Sequence, residues 1–361
     1  MENTKKSDYD CDYILYNAPG GGSYAFKENY VEYLIKQLNN KKNPIINVVM
    51  QPNSSPHFGT IFNIGLAFCL CKHMLNKEIV PNLIFDMWDN AKSEQYEING
   101  IIYQKGLRTT GKLVMDDYYK LFEMFKTYFN VNYTIRFEKE FKSHSLIGNI
   151  VNNIIKKQDI IGKTLMPISE KLAIRYPCPK CGIIDKYSVN NKYMENIIEF
   201  YCPYHGSYSV DTLKDFNELS YNCQLTSLII ALFYQNYERG YIQICGSDYA
   251  GFWQEQMIWR HLESPILIVY SPLIIDWSGY KLSKSTYLID GNYEYLKKAG
   301  LEYMLSFKVF LEMEKDFNII CEEIERWIKE PHKLFRCYTV HYMKLLFNKE
   351  INNLKYSKIK N

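Results

Sequence analysis

The chain has 361 residues, 47% of them apolar, and a formal net charge of +3. That is enough apolar material for two or more packed domains, and the charge is too small to argue nucleic-acid binding by itself. No run of 18 apolar residues predicts a membrane span, the start Met1-Glu-Asn-Thr-Lys-Lys-Ser-Asp lacks the apolar core of a signal sequence, and ten cysteines outside a small secreted framework fit a reduced, cytoplasmic protein.

Residues 1–43 carry a flexible turn, Gly20 to Ser23, and a helix from Tyr30 to Leu38 whose Tyr30, Tyr33, Leu34 and Leu38 share a face. The apolar, β-branched run Ile45 to Met50 predicts a buried strand, and Ile61 to Met74 predicts a helix. Between them lies Gln51-Pro-Asn-Ser-Ser-Pro-His-Phe-Gly-Thr60. Strand, polar loop, helix places this loop at the carboxyl end of a parallel strand, where α/β folds bind ligands. The helix start offers unpaired N–H groups and a positive dipole end, both suited to phosphate. His57 can donate to a phosphate oxygen, and Gly59 admits a flat ligand where a Cβ would clash. Taken alone, the pattern also fits an ordinary turn with a surface histidine.

Asn82 to Met87 predicts a second strand, ending in Asp86, Trp88 and Asp89. These carboxylates suit a substrate ammonium; a capped strand end with a tucked aromatic is the plainer alternative. Residues 90–112 are polar and read as a loop or insertion, Val114 to Tyr128 as a helix, Tyr133 to Phe137 as a third strand, and Ile147 to Ile155 as a further helix. Alternating strands and helices predict parallel βαβ units.

Cys178-Pro-Lys-Cys181 is followed, after 20 residues, by Cys202-Pro-Tyr-His205, with Gly182 and Gly206 closing the two turns. Two such knuckles supply four tetrahedral ligands. A filled shell leaves no open position, so the expected ion is structural zinc. Cys69, Cys71, Cys223 and Cys245 read as small core residues.

Asn222 to Tyr237 predicts a helix with Gly240 beyond its end, Tyr241 to Cys245 a strand, Tyr249 to His261 a helix, and Pro265 to Tyr270 a strand. The turn Gly246-Ser247-Asp248 suits a nucleotide ribose and equally a helix N-cap. Lys281-Leu-Ser-Lys-Ser285 follows Ser278-Gly279-Tyr280, and two lysines on a Ser/Gly loop suit the charge of a transferring phosphate. The rest is expected to be helical, with Glu312 to Lys329 amphipathic. From Pro331 to Asn361 six Lys and one Arg stand against one Glu, a basic end that can contact phosphate backbones or be a solvated helix.

Lys281 lies 224 residues after His57. The two motifs, in that order, resemble the "HIGH" and "KMSKS" ATP-binding signatures of class I aminoacyl-tRNA synthetases. The resemblance runs from about Tyr30 to Leu288 and is greatest to the catalytic core of class I lysyl-tRNA synthetases, on Asp86-Met-Trp-Asp89, the zinc-ligand insertion and Gly246-Ser-Asp-Tyr249. It implies an α/β fold with a Rossmann-like parallel sheet of the class I synthetase type, a zinc-knuckle insertion and a helical C-terminal part. The implied division is an N-terminal helical segment at 1–43, nucleotide-binding halves at 44–165 and 216–290, the zinc insertion at 166–215, and a helical, basic region at 291–361. The implied chemistry is amino-acid activation by ATP and transfer to tRNA, with lysine as the amino acid of the nearest subfamily. His57, Thr60, Lys281 and Lys284 would be catalytic; Pro56, Gly59, Gly246, Asp248, Ser283 and Ser285 would bind ATP with its Mg²⁺. Asp86, Trp88 and Asp89 would face the amino acid, Cys178, Cys181, Cys202 and His205 would hold zinc, and the acceptor stem of tRNA would meet the basic C-terminal region. Three departures stand out. Thr60 replaces the usual His or Asn, only 76 residues follow Ser285, and Asn217 to Gln224 lacks the Trp-rich segment of lysyl enzymes. Transfer to a small molecule or protein, or non-catalytic ATP or tRNA binding, are the alternatives these departures raise.

Overall fold

The computed structural model describes residues 14–15, 29–88, 94–105, 115–167, 169–236, 240–251, 253–264, 266–283, 287 and 292–350. Its centre is a five-stranded sheet: β1 (Ile45–Met50), β2 (Asn82–Met87), β3 (Thr134–Phe137), β4 (Tyr241–Gly246) and β5 (Leu267–Ser271). The order is β5-β4-β1-β2-β3, and every neighbouring pair is parallel. A parallel strand is covered on both faces, which is why β1 reads as one apolar run. From β1 the chain steps outward to β2 and β3; β4 then takes the other side of β1, and β5 continues outward. The order reverses between β1 and β4, and open α/β sheets take their ligands beyond the carboxyl ends of the strands at such a switch point.

The crossover from β1 to β2 is α1 (Phe58–Leu75). It is long and apolar enough to cross a membrane, yet here Phe58, Ile61, Phe62, Leu66, Phe68 and Leu70 are wholly buried within the protein. A helix apolar all round belongs in a core. It packs on the sheet, on α2 (Met115–Phe129) and on a later helix labelled α4 below, Phe317–Lys329. Gly65 makes that approach possible: a Cβ there would stand 2.4 Å from Ile324 Cδ1 and 2.6 Å from Phe125 Cζ. Gly65→Ala is therefore expected to destabilise the protein by about 1–3 kcal/mol through overpacking. A urea midpoint equal to that of the wild type would contradict it.

After β3 come three helices, Glu138–Lys142, Ser145–Lys156 and Gln158–Leu165, then the insertion and α3 (Cys223–Gln235), capped by Asn222, whose side chain accepts from Leu225 N at 2.9 Å. Residues after 292 join the same core as α1. Tyr338 stacks on Trp327 of α4 (Phe317–Lys329) at 4.9 Å, and Trp327 stacks on Phe62 at 4.9 Å. The buried Glu323 accepts from Trp327 Nε1 and Tyr342 OH, each at 2.8 Å, and from Arg326 Nη1 at 2.5 Å. A buried carboxylate needs such donors, and here they lock the last helices together.

Four expectations change. The segment 90–112, read as a loop or insertion with no strand in it, holds an antiparallel pair, Gln95–Ile98 with Ile101–Lys105, and the second strand also pairs with Ile183–Asp185 of the zinc-ligand insertion. Asn99 and Gly100 both have positive φ, 51° and 76°, the backbone a two-residue hairpin turn requires. Tyr249 to His261 is not one α-helix: a 3₁₀ turn, Ser247–Tyr249, gives way at Gly251 (φ 70°) to a π-helical stretch, Trp253–Ile258, and a second 3₁₀ turn. Glu312 to Lys329 breaks before Asp316, whose side chain caps α4 by accepting from Asn318 N at 3.0 Å. Cys223 is exposed at the start of α3, not in the core.

Candidate active site and candidate metal centre

The loop from β1 to α1 ends at His57, which precedes the first helical residue. Thr60 Oγ1 lies 3.5 Å from His57 Nε2. The imidazole folds over Gly59: a Cβ there would meet His57 Cε1 at 2.9 Å. The C-terminal part buttresses this loop. Phe307 N donates to Pro56 O at 2.7 Å, and Lys308 N donates to Ser55 Oγ at 3.0 Å. Phe58 meets Tyr303, Phe310 and Phe347 with ring centroids 5.6–6.1 Å apart.

Across the switch point, β4 ends in Gly246, followed by the tight turn Ser247–Tyr249. A Cβ on Gly246 would stand 2.5 Å from Asp248 Oδ1, so glycine lets the carboxylate fold back toward the strand end. Asp248 forms an ion pair with Lys281, whose ammonium also lies 6.0 Å from the Tyr249 ring centroid. The Lys281 loop is shaped by Asp276. Its Oδ1 accepts from Ser278 N (2.8 Å) and Tyr280 N (3.1 Å), and Gly279 turns the chain at φ 82°. Leu282 is buried and its N–H donates to Ile274 O at 2.8 Å, while Ser283 N donates to Tyr293 OH at 3.0 Å. The structure thus brings Gly246, Asp248 and Lys281 together, and puts Pro56 and His57 on the loop after the neighbouring strand β1, with Gly59 and Thr60 in the first turn of α1. Lys284 and Ser285 lie outside the described residues.

Asp86 does something other than await an ammonium group. It is buried, and Arg136 grips both its oxygens at 2.7 Å while Asn47 Nδ2 adds a 2.9 Å bond. Arg136 also donates to Tyr234 OH at 2.6 Å, Tyr234 stacks on Tyr241 at 4.3 Å, and Tyr241 OH donates to Asn47 Oδ1 at 3.1 Å. This ring of contacts ties β1, β2, β3, β4 and α3 together. Burial pushes the Asp86 carboxyl up against the pull of Arg136; burial pulls the Arg136 guanidinium down, but Asp86 and Tyr234 together outweigh it and keep the guanidinium charged. Removing one partner of a buried pair strands the other charge. Arg136→Leu is accordingly expected to cost about 3–5 kcal/mol in urea denaturation; a loss below 1 kcal/mol would show that the pair is solvated instead. Trp88 is likewise buried, 5.7 Å from Phe141 and beneath the ammonium of Lys142, which pairs with Glu138 at 2.5 Å. Asp89 lies outside the described residues.

The two knuckles converge. Ligand atoms of Cys178, Cys181, Cys202 and His205 all lie within 4.8 Å of one another. Cys181 Sγ is 3.5 Å from Cys202 Sγ, and His205 Nδ1 is 3.5 Å from Cys202 Sγ and 3.6 Å from Cys178 Sγ. Zn–S bonds near 2.3 Å and a Zn–N bond near 2.0 Å give tetrahedral edges of roughly 3.5–3.8 Å. The donor set and these spacings fit a four-coordinate metal ion. Local folding explains the convergence: Gly182 (φ 74°) and Gly206 (φ 75°) take backbone that other residues avoid, and Cys202 pairs with Gly206 where the strands Ile197–Cys202 and Gly206–Asp211 meet.

Arg136, Asn47 and Asp276 went unremarked in the sequence. A polar Asn inside the apolar run of β1 was the available signal for the first two. Of the basic residues near the C-terminus, Arg336 is buried, which removes it from any phosphate-contacting surface.

No protein-family model matches the chain, and no curated protein matches it. Among solved structures, it is similar to a putative arginyl-tRNA synthetase from Campylobacter jejuni, with 10% identity over 76% of this chain and 66% of that one, at a TM-score of 0.31. A glutamate–tRNA ligase from Elizabethkingia meningosepticum, in complex with its amino acid, gives 14% identity over 67% and 52%, at 0.33. A tryptophanyl-tRNA synthetase from Plasmodium falciparum gives 12% identity over 91% and 81%, at 0.35. The chain thus spans about two thirds and one half of the length of the first two.

Proposed function

We propose that the chain is an ATP-dependent ligase that activates a carboxylate as its adenylate. The observation that carries this reading is the Asp248–Lys281 ion pair, which joins the turn after β4 to the lysine loop beside the switch point. In such a site most of the work is positioning and charge neutralisation. The substrate carboxylate attacks the α-phosphorus in line, forming a new P–O bond, and pyrophosphate leaves. His57 and Thr60 donate to the phosphates, Gly59 admits the adenine, and Asp248 accepts from the ribose hydroxyls. Lys281 and Lys284 neutralise the departing pyrophosphate, Ser283 and Ser285 bind ATP, and Mg²⁺ accompanies ATP.

Within that class the motifs support a class I aminoacyl-tRNA synthetase working in the cytoplasm, which passes the amino acid to the acceptor stem of tRNA. Zinc on Cys178, Cys181, Cys202 and His205 serves structure. Lysine is one amino acid among the twenty to be tried, since Asp86 is committed to Arg136. ATP-dependent transfer of labelled amino acids to total tRNA, read as acid-precipitable counts, tests the acceptor. Adenylate formation without such counts would move the acceptor to a small molecule or protein.

A further inference from the structure

Behind the lysine loop lies a cavity of about 340 Å³, walled by Tyr280, Tyr293 and Tyr295 and edged by Ser283, Asn292 and Lys281. Two of its rings are pinned. Tyr295 OH donates to Asp276 Oδ2 at 2.8 Å, and Tyr293 OH accepts from Ser283 N at 3.0 Å. The third, Tyr280, is 76% exposed at the hairpin tip. Trp277, on the other side of Gly279, is 52% exposed and stands 5.5 Å from Tyr295 at an interplanar angle of 38°. Aromatic faces and an amide edge are the parts that receive an unstacked nucleobase. The aromatic surface does not stop at the cavity: Trp277 and the outer face of Tyr295 continue it, so it is longer than one base requires.

We propose that this hairpin face binds an unpaired segment of RNA, with one base in the cavity against Tyr280 and the next on Trp277. The proposal rests on the tRNA half of the function above, and the substitutions that test it, at Tyr280 and Trp277, spare the residues assigned to ATP. The committed occupant is single-stranded RNA rather than a free nucleotide, because a mononucleotide would leave Trp277 unused.

The test is fluorescence anisotropy with a labelled single-stranded hexaribonucleotide, competed by AMP and by the same sequence as a duplex. Wild type, Tyr280→Ala, Tyr280→Phe and Trp277→Ala are compared; both residues are exposed, so folding is expected to survive. The expected result is wild-type binding weakened roughly 5- to 100-fold by either alanine, on the scale of one lost base stack, and retained by Tyr280→Phe. ATP–pyrophosphate exchange on the same preparations should be unchanged by these substitutions. Alanine variants that bind like wild type, AMP or duplex that competes as well as the hexamer, or a wild type that binds no RNA would each overturn the proposal. Absence of exchange with RNA binding intact would overturn adenylate formation and leave this site standing.

Discussion

Lys281→Ala is expected to lower ATP–pyrophosphate exchange by about 100- to 1,000-fold, the scale of removing one preorganised donor from a developing charge. Its side chain is half exposed, so its ion pair with Asp248 contributes less than about 1 kcal/mol to folding. Loss of exchange with an unchanged urea midpoint would therefore isolate a chemical role. Asp248→Asn should raise the KM for ATP more than it lowers kcat, because a ribose contact is made in the ground state as well as in the transition state. Exchange retained in Lys281→Ala would mean that the ion pair is a surface contact and that the lysine loop does not meet the phosphates.

Metal removal is expected to have the larger structural effect. Structural zinc contributes on the order of 10–16 kcal/mol of apparent binding energy in small zinc-binding peptides, and beside it the knuckle segment has one strand ladder, two glycine turns and the buried Ile198, Phe200 and Val210. Cys202 is fully buried at the end of its strand. Cys202→Ser should reduce bound zinc from one ion per chain to none. It should also raise amide exchange between residues 178 and 211 while β1 and β4 stay protected. The strand Ile101–Lys105, which pairs with Ile183–Asp185, should lose protection with it. Protein that carries no metal as purified and is indifferent to chelators would contradict this.

The parts legible in the sequence were those set by local pattern. The run Ile45 to Met50 and the stretch Asn82 to Met87 become strands with those same ends, because β-branched and apolar residues bounded by polar turns leave little choice. Cys-x₂-Cys and Cys-x₂-His spacing placed four donors in one cluster because each turn needs only local geometry and a glycine. What escaped was decided at a distance. Asp86 sits at a strand end, where substrates are held, but its fate depends on Arg136, 50 residues away on the next strand. The hairpin at Asn99-Gly100 was signalled by its turn residues, yet the polar composition of the segment masked them. The break in Tyr249 to His261 follows from the positive φ at Gly251, which a helical reading of the surrounding aromatics passes over. Gly65 shows no pattern at all in the sequence; only the approach of Ile324 and Phe125 explains it.

The central claim is that the site at the switch point activates a carboxylate with ATP. ATP–pyrophosphate exchange with each of the twenty amino acids, with and without total tRNA, tests it most directly. The account predicts exchange with one amino acid, lost in Lys281→Ala. No exchange with any of the twenty under either condition, from folded protein with its metal bound, would contradict it.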